Sequence, residues 1–114
     1  MSRMERIQRA HEIGADPAGV ALLLADPAGR ELWPRGRARF GAPQRSGVGF
    51  ACDVTVLGIP PARGRLAITT GREPGLTEVW LMLQVDGAAA AVAADGARFL
   101  GALAVAAQAR SSAA

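Results

Sequence analysis

Apolar residues change their spacing several times along this chain, and each spacing points to an element. Met4, Ile7, Ala10 and His11 recur at intervals of three and four, the period of one helix face. Ser2 and Glu5 are spaced as a capping box, and Glu5 and Arg9 form a favourable i,i+4 pair. Gly14 and then Pro17 supply a stop. This pattern predicts a first helix ending at Gly14. Val20 to Leu24 is short and continuously apolar, and the same five residues, Ala-Asp-Pro-Ala-Gly, flank it at 15–19 and 25–29. Asp, Pro and Gly in first, second and fourth place specify a type I turn, so the run between the copies reads as a buried strand.

From Val48 the period becomes two. Val48, Phe50, Cys52, Val54 and Val56 share one face, with Gly49, Ala51, Asp53, Thr55 and Leu57 on the other. Residues 59–64 break the run, and Arg65 to Thr70 alternates again with Leu66 and Ile68 inward, which predicts a hairpin. Val79, Leu81, Leu83 and Val85 line one face of a third strand over 78–86. Trp80 and Met82 make its other face apolar too, so the strand reads as central and covered on both sides. Asp86-Gly87 is a turn signal, and the alanine-rich 88–94 fits strand or helix. From Asp95, which reads as an N-cap, Phe99, Leu100, Leu103 and Ala107 mark the stripe of a last helix.

The expected fold is α+β: an antiparallel, meander-like sheet of about five strands with an N-terminal and a C-terminal helix covering one sheet face. A chain of 114 residues fits a single domain over 1–110, with 111–114 as a frayed tail. Half the residues are hydrophobic and a fifth charged, a globular balance. The start of the chain lacks the apolar stretch of a secretory signal, and no membrane span is expected. A single cysteine forms no intrachain disulfide, and the expected location is the cytoplasm.

Candidate chemistry is sparse. The one histidine, His11, lies at the edge of the first apolar stripe. The one cysteine, Cys52, faces inward with Phe50 and Val54. A thiol in apolar surroundings is inert, and neither residue has neighbours at metal-ligand spacing. Asp53 and Glu78 stand on strands as solvated charges, and Arg-Gly-Arg at 35–37 and 63–65 matches no phosphate-binding loop. No catalytic residue, metal or cofactor is assigned.

Charge is more informative. Of a net +3, the stretch 30–45 carries Arg30, Arg35, Arg37, Arg39 and Arg45 against Glu31 alone, with Trp33 and Phe40 flanking the central triplet. Arginine beside aromatics contacts phosphates and stacks on bases; the plain alternative is an edge strand protected by charge. The expected function is a non-enzymatic interaction or adaptor module, homodimeric or bound to another protein. It would use the basic residues or the apolar group Trp33, Phe40, Trp80 and Met82. The alternatives are nucleic-acid binding through 30–45 and a small-molecule or lipid carrier with a pocket between the sheet and the last helix.

Overall fold

The computed structural model describes residues 4–58 and 61–112. Its strands are β1 (Met4–Ile13), β2 (Ala38–Phe40), β3 (Gln44–Ser46), β4 (Gly49–Val56), β5 (Ala62–Thr70) and β6 (Thr77–Asp86). Its helices are α1 (Pro17–Ala25), the single-turn α2 (Pro27–Arg30) and α3 (Ala89–Ser112), with a 3-10 turn at Pro34–Gly36. One antiparallel sheet of six strands runs in the order β1-β6-β5-β4-β2, and β3 also pairs with β4. The α+β class and the helix-and-sheet layering are as expected, with one strand more than anticipated.

Two elements near the N-terminus exchange character. Residues 4–13 form a strand of ten residues paired along its whole length with β6, not a helix. Ile7 and Ile13 are the two buried residues of this strand. Six positions apart, they share a strand face, whereas on a helix they would point about 120° apart. The spacing of Met4, Ile7 and Ala10 fits a helix, but Met4 and Ala10 are exposed and carry no core packing. Long-range pairing with β6 thus overrides a weak local preference. Ser2, the expected N-cap, lies outside the described residues.

The run Val20–Leu24 is helix, not strand. Val20, Ala21, Leu23 and Leu24 are buried and Leu22 is exposed, which is the one-sided pattern of α1. Both copies of the repeated pentapeptide open a helix, with Pro17 and Pro27 as first residues. The central residues of a type I turn hold near-helical dihedrals, so a turn begun by proline continues as a helix when the residues after it permit.

The remaining elements lie close to their expected positions. The hairpins β4–β5 and β5–β6 form with Cys52, Val54, Leu66, Ile68, Val79, Leu81, Leu83 and Val85 facing one buried layer. Ile59 and Pro60, in the break between β4 and β5, lie outside the described residues. Of the ambiguous stretch 88–94, residues 89–94 belong to α3: Gly87 and Ala88 take φ of 79° and 53°, where the chain leaves the end of β6 for the helix on the sheet face. Asp95 therefore lies inside the helix and is not its cap.

The buried Phe99, Leu100, Leu103, Ala104 and Ala107 of α3 join the same core as the apolar face of α1. Gln108 Oε1 accepts a hydrogen bond from the Gly14 backbone at 3.0 Å, tying α3 to the end of β1. By length and composition alone, Ala89–Ser111 is apolar enough to cross a bilayer, a test that the core helix of a globular domain also passes. Its buried stripe is that of a helix packed into a core. Both helices lie on the same side of the sheet.

Candidate functional site

With both helices on one side, the other face of the sheet is bare among the described residues. Strand register fixes what it displays. Arg6 stands opposite Gln84, Gln84 opposite Arg63, Arg63 opposite Thr55, and Thr55 opposite Arg39. Side chains two residues apart share a face, so this row is followed by Gln8, Met82, Arg65 and Asp53. Next come Ala10, Trp80, Ala67 and Ala51, and then Glu12, Glu78 and Thr69. The face is therefore graded along the strands. Beyond the outermost pair, Met4 and Asp86, it has a basic row, a mixed row, an apolar belt and an acidic end.

Trp80 and Met82 are half-buried at the centre of this face. The strand that carries them is central, as expected, but only one of its faces is covered by helices. The Trp80 indole N–H donates to Glu78 Oε1, which anchors the ring beside the acidic end. A groove of about 670 Å³ crosses the first two rows, walled by Arg6, Gln8, Arg63, Arg65, Asp53 and Met82. Its floor includes the backbone of Gly64, where an added Cβ would fall 1.7 Å from the Met82 carbonyl oxygen. Arg65 Nε lies 3.9 Å from Asp53 Oδ1, and both side chains are solvated, so that pair contributes about 0–1 kcal/mol.

The arginines of residues 30–45 do not form one patch. Arg35 Nη2 reaches Asp95 of α3 at 3.5 Å, on the helix side. Arg45 stands 5.8 Å from the centre of the Phe50 ring, on the strand face that carries Cys52 and Val54. Arg39 points to the open face, in line with Arg63 and Arg6. Arg37 is exposed just before β2, and the side chain of Arg30, at the end of α2, lies outside the described residues. The alternation of arginine with glycine and alanine at 35–39 thus suggests one surface where the chain makes two.

The aromatic candidates separate in the same way. Trp33 is fully buried, with its ring centroid 5.3 Å from that of Phe99, and Phe40 stacks on Phe99 at 5.1 Å from the inner side of β2. These two belong to the core, while Trp80 and Met82 belong to the open face. The Trp33 indole nitrogen is buried without a hydrogen-bond partner.

Cys52 is buried, and its thiol is pushed up from 9.0 to about 11, first by burial, then by the neighbouring Asp53 charge, with Arg65 opposing. His11 is exposed on β1. Strands β6 and β5 stand between β1 and β4, which places the two backbones about 14 Å apart at ordinary strand spacing. The pair therefore cannot meet as nucleophile and base. Among the described residues no three His, Cys, Asp or Glu side chains cluster as metal ligands.

Arg6, Arg63 and Arg65 are the site residues that sequence reasoning missed. Arg63 and Arg65 could be placed outward from their alternation with Ala62 and Leu66. Their alignment with Arg6 depends on a register between segments far apart in the chain.

No protein-family model matches this sequence. No curated protein matches it either. Among solved structures it is similar to the crystal structure of TTHA0849 from Thermus thermophilus. The TM-score is 0.56 at 13% sequence identity, over 94% of this chain and 99% of that one. At that identity the likeness is one of fold alone.

Proposed function

We propose that this protein is a non-enzymatic interaction module that works through the open face of its sheet and is homodimeric. The observation that carries this reading is the position of the half-buried Trp80 and Met82 at the centre of an uncovered sheet face, beside a groove of about 670 Å³, with both helices on the opposite side. Aromatic residues, methionine and arginine are the types enriched where proteins meet, and this face holds all three. The buried Cys52 and the distant His11 are consistent with a role that needs no nucleophile.

Size-exclusion chromatography with light scattering at micromolar concentration tests the proposal. A dimer is expected, and Trp80→Arg should shift it towards monomer while leaving the circular dichroism unchanged. A strict monomer that copurifies with no partner would refute it.

A second reading, nucleic-acid binding, has one observation in its favour: Arg6, Arg63 and Arg39 lie in a single row spanning four strand spacings, about 19 Å. It predicts binding of single-stranded RNA or DNA that weakens steeply with salt.

A further inference from the structure

The open face is polarised along its strands, and that polarity selects a partner. The basic end carries Arg6, Arg63 and Arg39 with one acid, Asp86, a row beyond them, the acidic end carries Glu12 and Glu78, and Trp80, Ala67, Ala51 and Met82 lie between them. A surface with opposite charges at its two ends and an apolar middle is complementary to itself when turned end for end. From this we propose that the face docks against the same face of a second copy. The twofold axis lies in the plane of the interface, across the strands, between the Met82 row and the Trp80 row. The inference deepens the interaction-module reading above and rests on it.

The axis is chosen by charge. A twofold axis along the strands would keep each row opposite itself, setting β1 against β2 of the other copy and hence Arg6 near Arg39. A twofold axis across the strands keeps each strand opposite its own copy and reverses the rows. Arg6 then meets Glu12 of the second copy, both from β1. Gln84 meets Glu78, and Arg63 stands one strand away from that same carboxylate. Trp80 meets Met82, a thioether-to-aromatic contact, and Ala67 and Ala51 leave room for Arg65 and for the Asp53 side chain. Every such contact occurs twice, as an isologous interface requires.

The size of the face is adequate. Five strands wide and four residue rows deep, it measures about 24 by 27 Å in plan at ordinary spacings. That is about 650 Å² before side-chain relief is added, close to the roughly 800 Å² per partner of a standard interface. The groove walled by Arg6, Arg63 and Arg65 would receive the two rows carrying Glu78 and Trp80.

Two single charge reversals and their mixture provide the test. Arg6→Glu and Glu12→Arg each place like charges in contact, and each should weaken dimerisation by about tenfold or more in analytical ultracentrifugation. Both residues are exposed, so circular dichroism should match the wild type. Mixed in equal amounts, the two variants should form a heterodimer of about wild-type affinity. The two reversed side chains then face each other with opposite charge, and the unaltered Glu12 of one variant faces the unaltered Arg6 of the other. The double variant should likewise recover self-association.

A wild-type dimer indifferent to both reversals overturns the twofold arrangement and leaves the interaction module standing. So does a mixture that stays monomeric. A wild-type monomer overturns the twofold arrangement, and one that copurifies with no partner overturns both. If the wild type copurifies with nucleic acid and Arg6→Glu abolishes salt-sensitive binding of single-stranded RNA without any dimer, the face is a nucleic-acid surface and the proposal is wrong.

Discussion

Replacing Gly64 by alanine adds one methyl group at the most crowded point of the sheet. Built on the existing backbone, the new Cβ lies 1.7 Å from the Met82 carbonyl oxygen, 2.7 Å from the Met82 carbonyl carbon and 2.8 Å from the Leu83 Cα. All three neighbours are backbone, so no rotamer change relieves the clash. The strands must separate until the first distance reaches at least 3.0 Å. Gly64 pairs with Leu83 on one side and Val54 on the other, so any retreat strains both ladders at the centre of the sheet. Overpacking costs about 1–3 kcal/mol, and two weakened ladder bonds add about 1 kcal/mol each. The total, about 3–5 kcal/mol, is a large fraction of the 5–15 kcal/mol that holds an ordinary domain together. The melting temperature should fall by about 12–20 °C. Gly19→Ala is the matched control. It lies in the first turn of α1 with nothing within 4 Å of its Cβ, and should stabilise by about 0.5–1 kcal/mol through helix propensity. Thermal melts followed by circular dichroism compare the two. A Gly64→Ala variant melting within about 3 °C of wild type would refute the close approach of β5 and β6.

Three further outcomes are expected. The Cys52 thiol, held up to about 11 by burial, should resist alkylation in the folded protein at pH 8 and react freely in urea. Because its folded pKa lies above the ordinary 9.0, its contribution to stability is intact below pH 9 and is lost as pH rises towards about 11. Cys52→Ala should therefore flatten the pH dependence of urea unfolding in that window. Thr77 is fully buried and its hydroxyl donates to the Ala15 carbonyl; Thr77→Val should cost about 1–3 kcal/mol by stranding that acceptor, as read by urea unfolding. Phe99→Ala removes the ring between Trp33 and Phe40 and should cost about 3–5 kcal/mol, with a change in near-ultraviolet circular dichroism as Trp33 loses its neighbour.

The parts of the fold that read correctly from the sequence are those written in one local pattern. Alternation from Cys52 to Val56, from Leu66 to Ile68 and from Val79 to Val85 places β4, β5 and β6 and the sides they bury. The stripe of Phe99, Leu100, Leu103 and Ala107 does the same for α3. Where two periods fit the same few residues, long-range contacts decide. Ile7 and Ile13 become strand residues because β6 offers them a full-length ladder, and Val20 to Leu24 becomes a helix because Pro17 starts one. The candidate site divides along the same line. The apolar outer side of β6, Trp80 and Met82, was legible from alternation. The basic row was not, because Arg6, Arg63 and Arg39 become neighbours only through ladders whose register is set by turns and by packing.

The ladder between β1 and β6 also has a consequence for the order of events when the chain is made. Met4 pairs with Asp86, so the first of these strands to leave the ribosome has its one strand partner among the described residues in the last. At synthesis rates of about 5–20 residues per second, β1 waits about 4–16 s for that partner. The hairpins β4–β5 and β5–β6 close between neighbours in sequence and need no such delay. During the wait Ile7 and Ile13 have no core to enter, and both edges of β1 are unpaired. Such a segment is open to chaperones and to other nascent chains. In the finished sheet one of those edges has no strand partner among the described residues, and the Arg9 guanidinium donates to the Gln8 carbonyl at 2.9 Å. Glu5, Arg6, Arg9 and Glu12 spread charge along β1, the kind of residue that disfavours pairing of an open strand edge with other chains, before the last strand arrives as well as after.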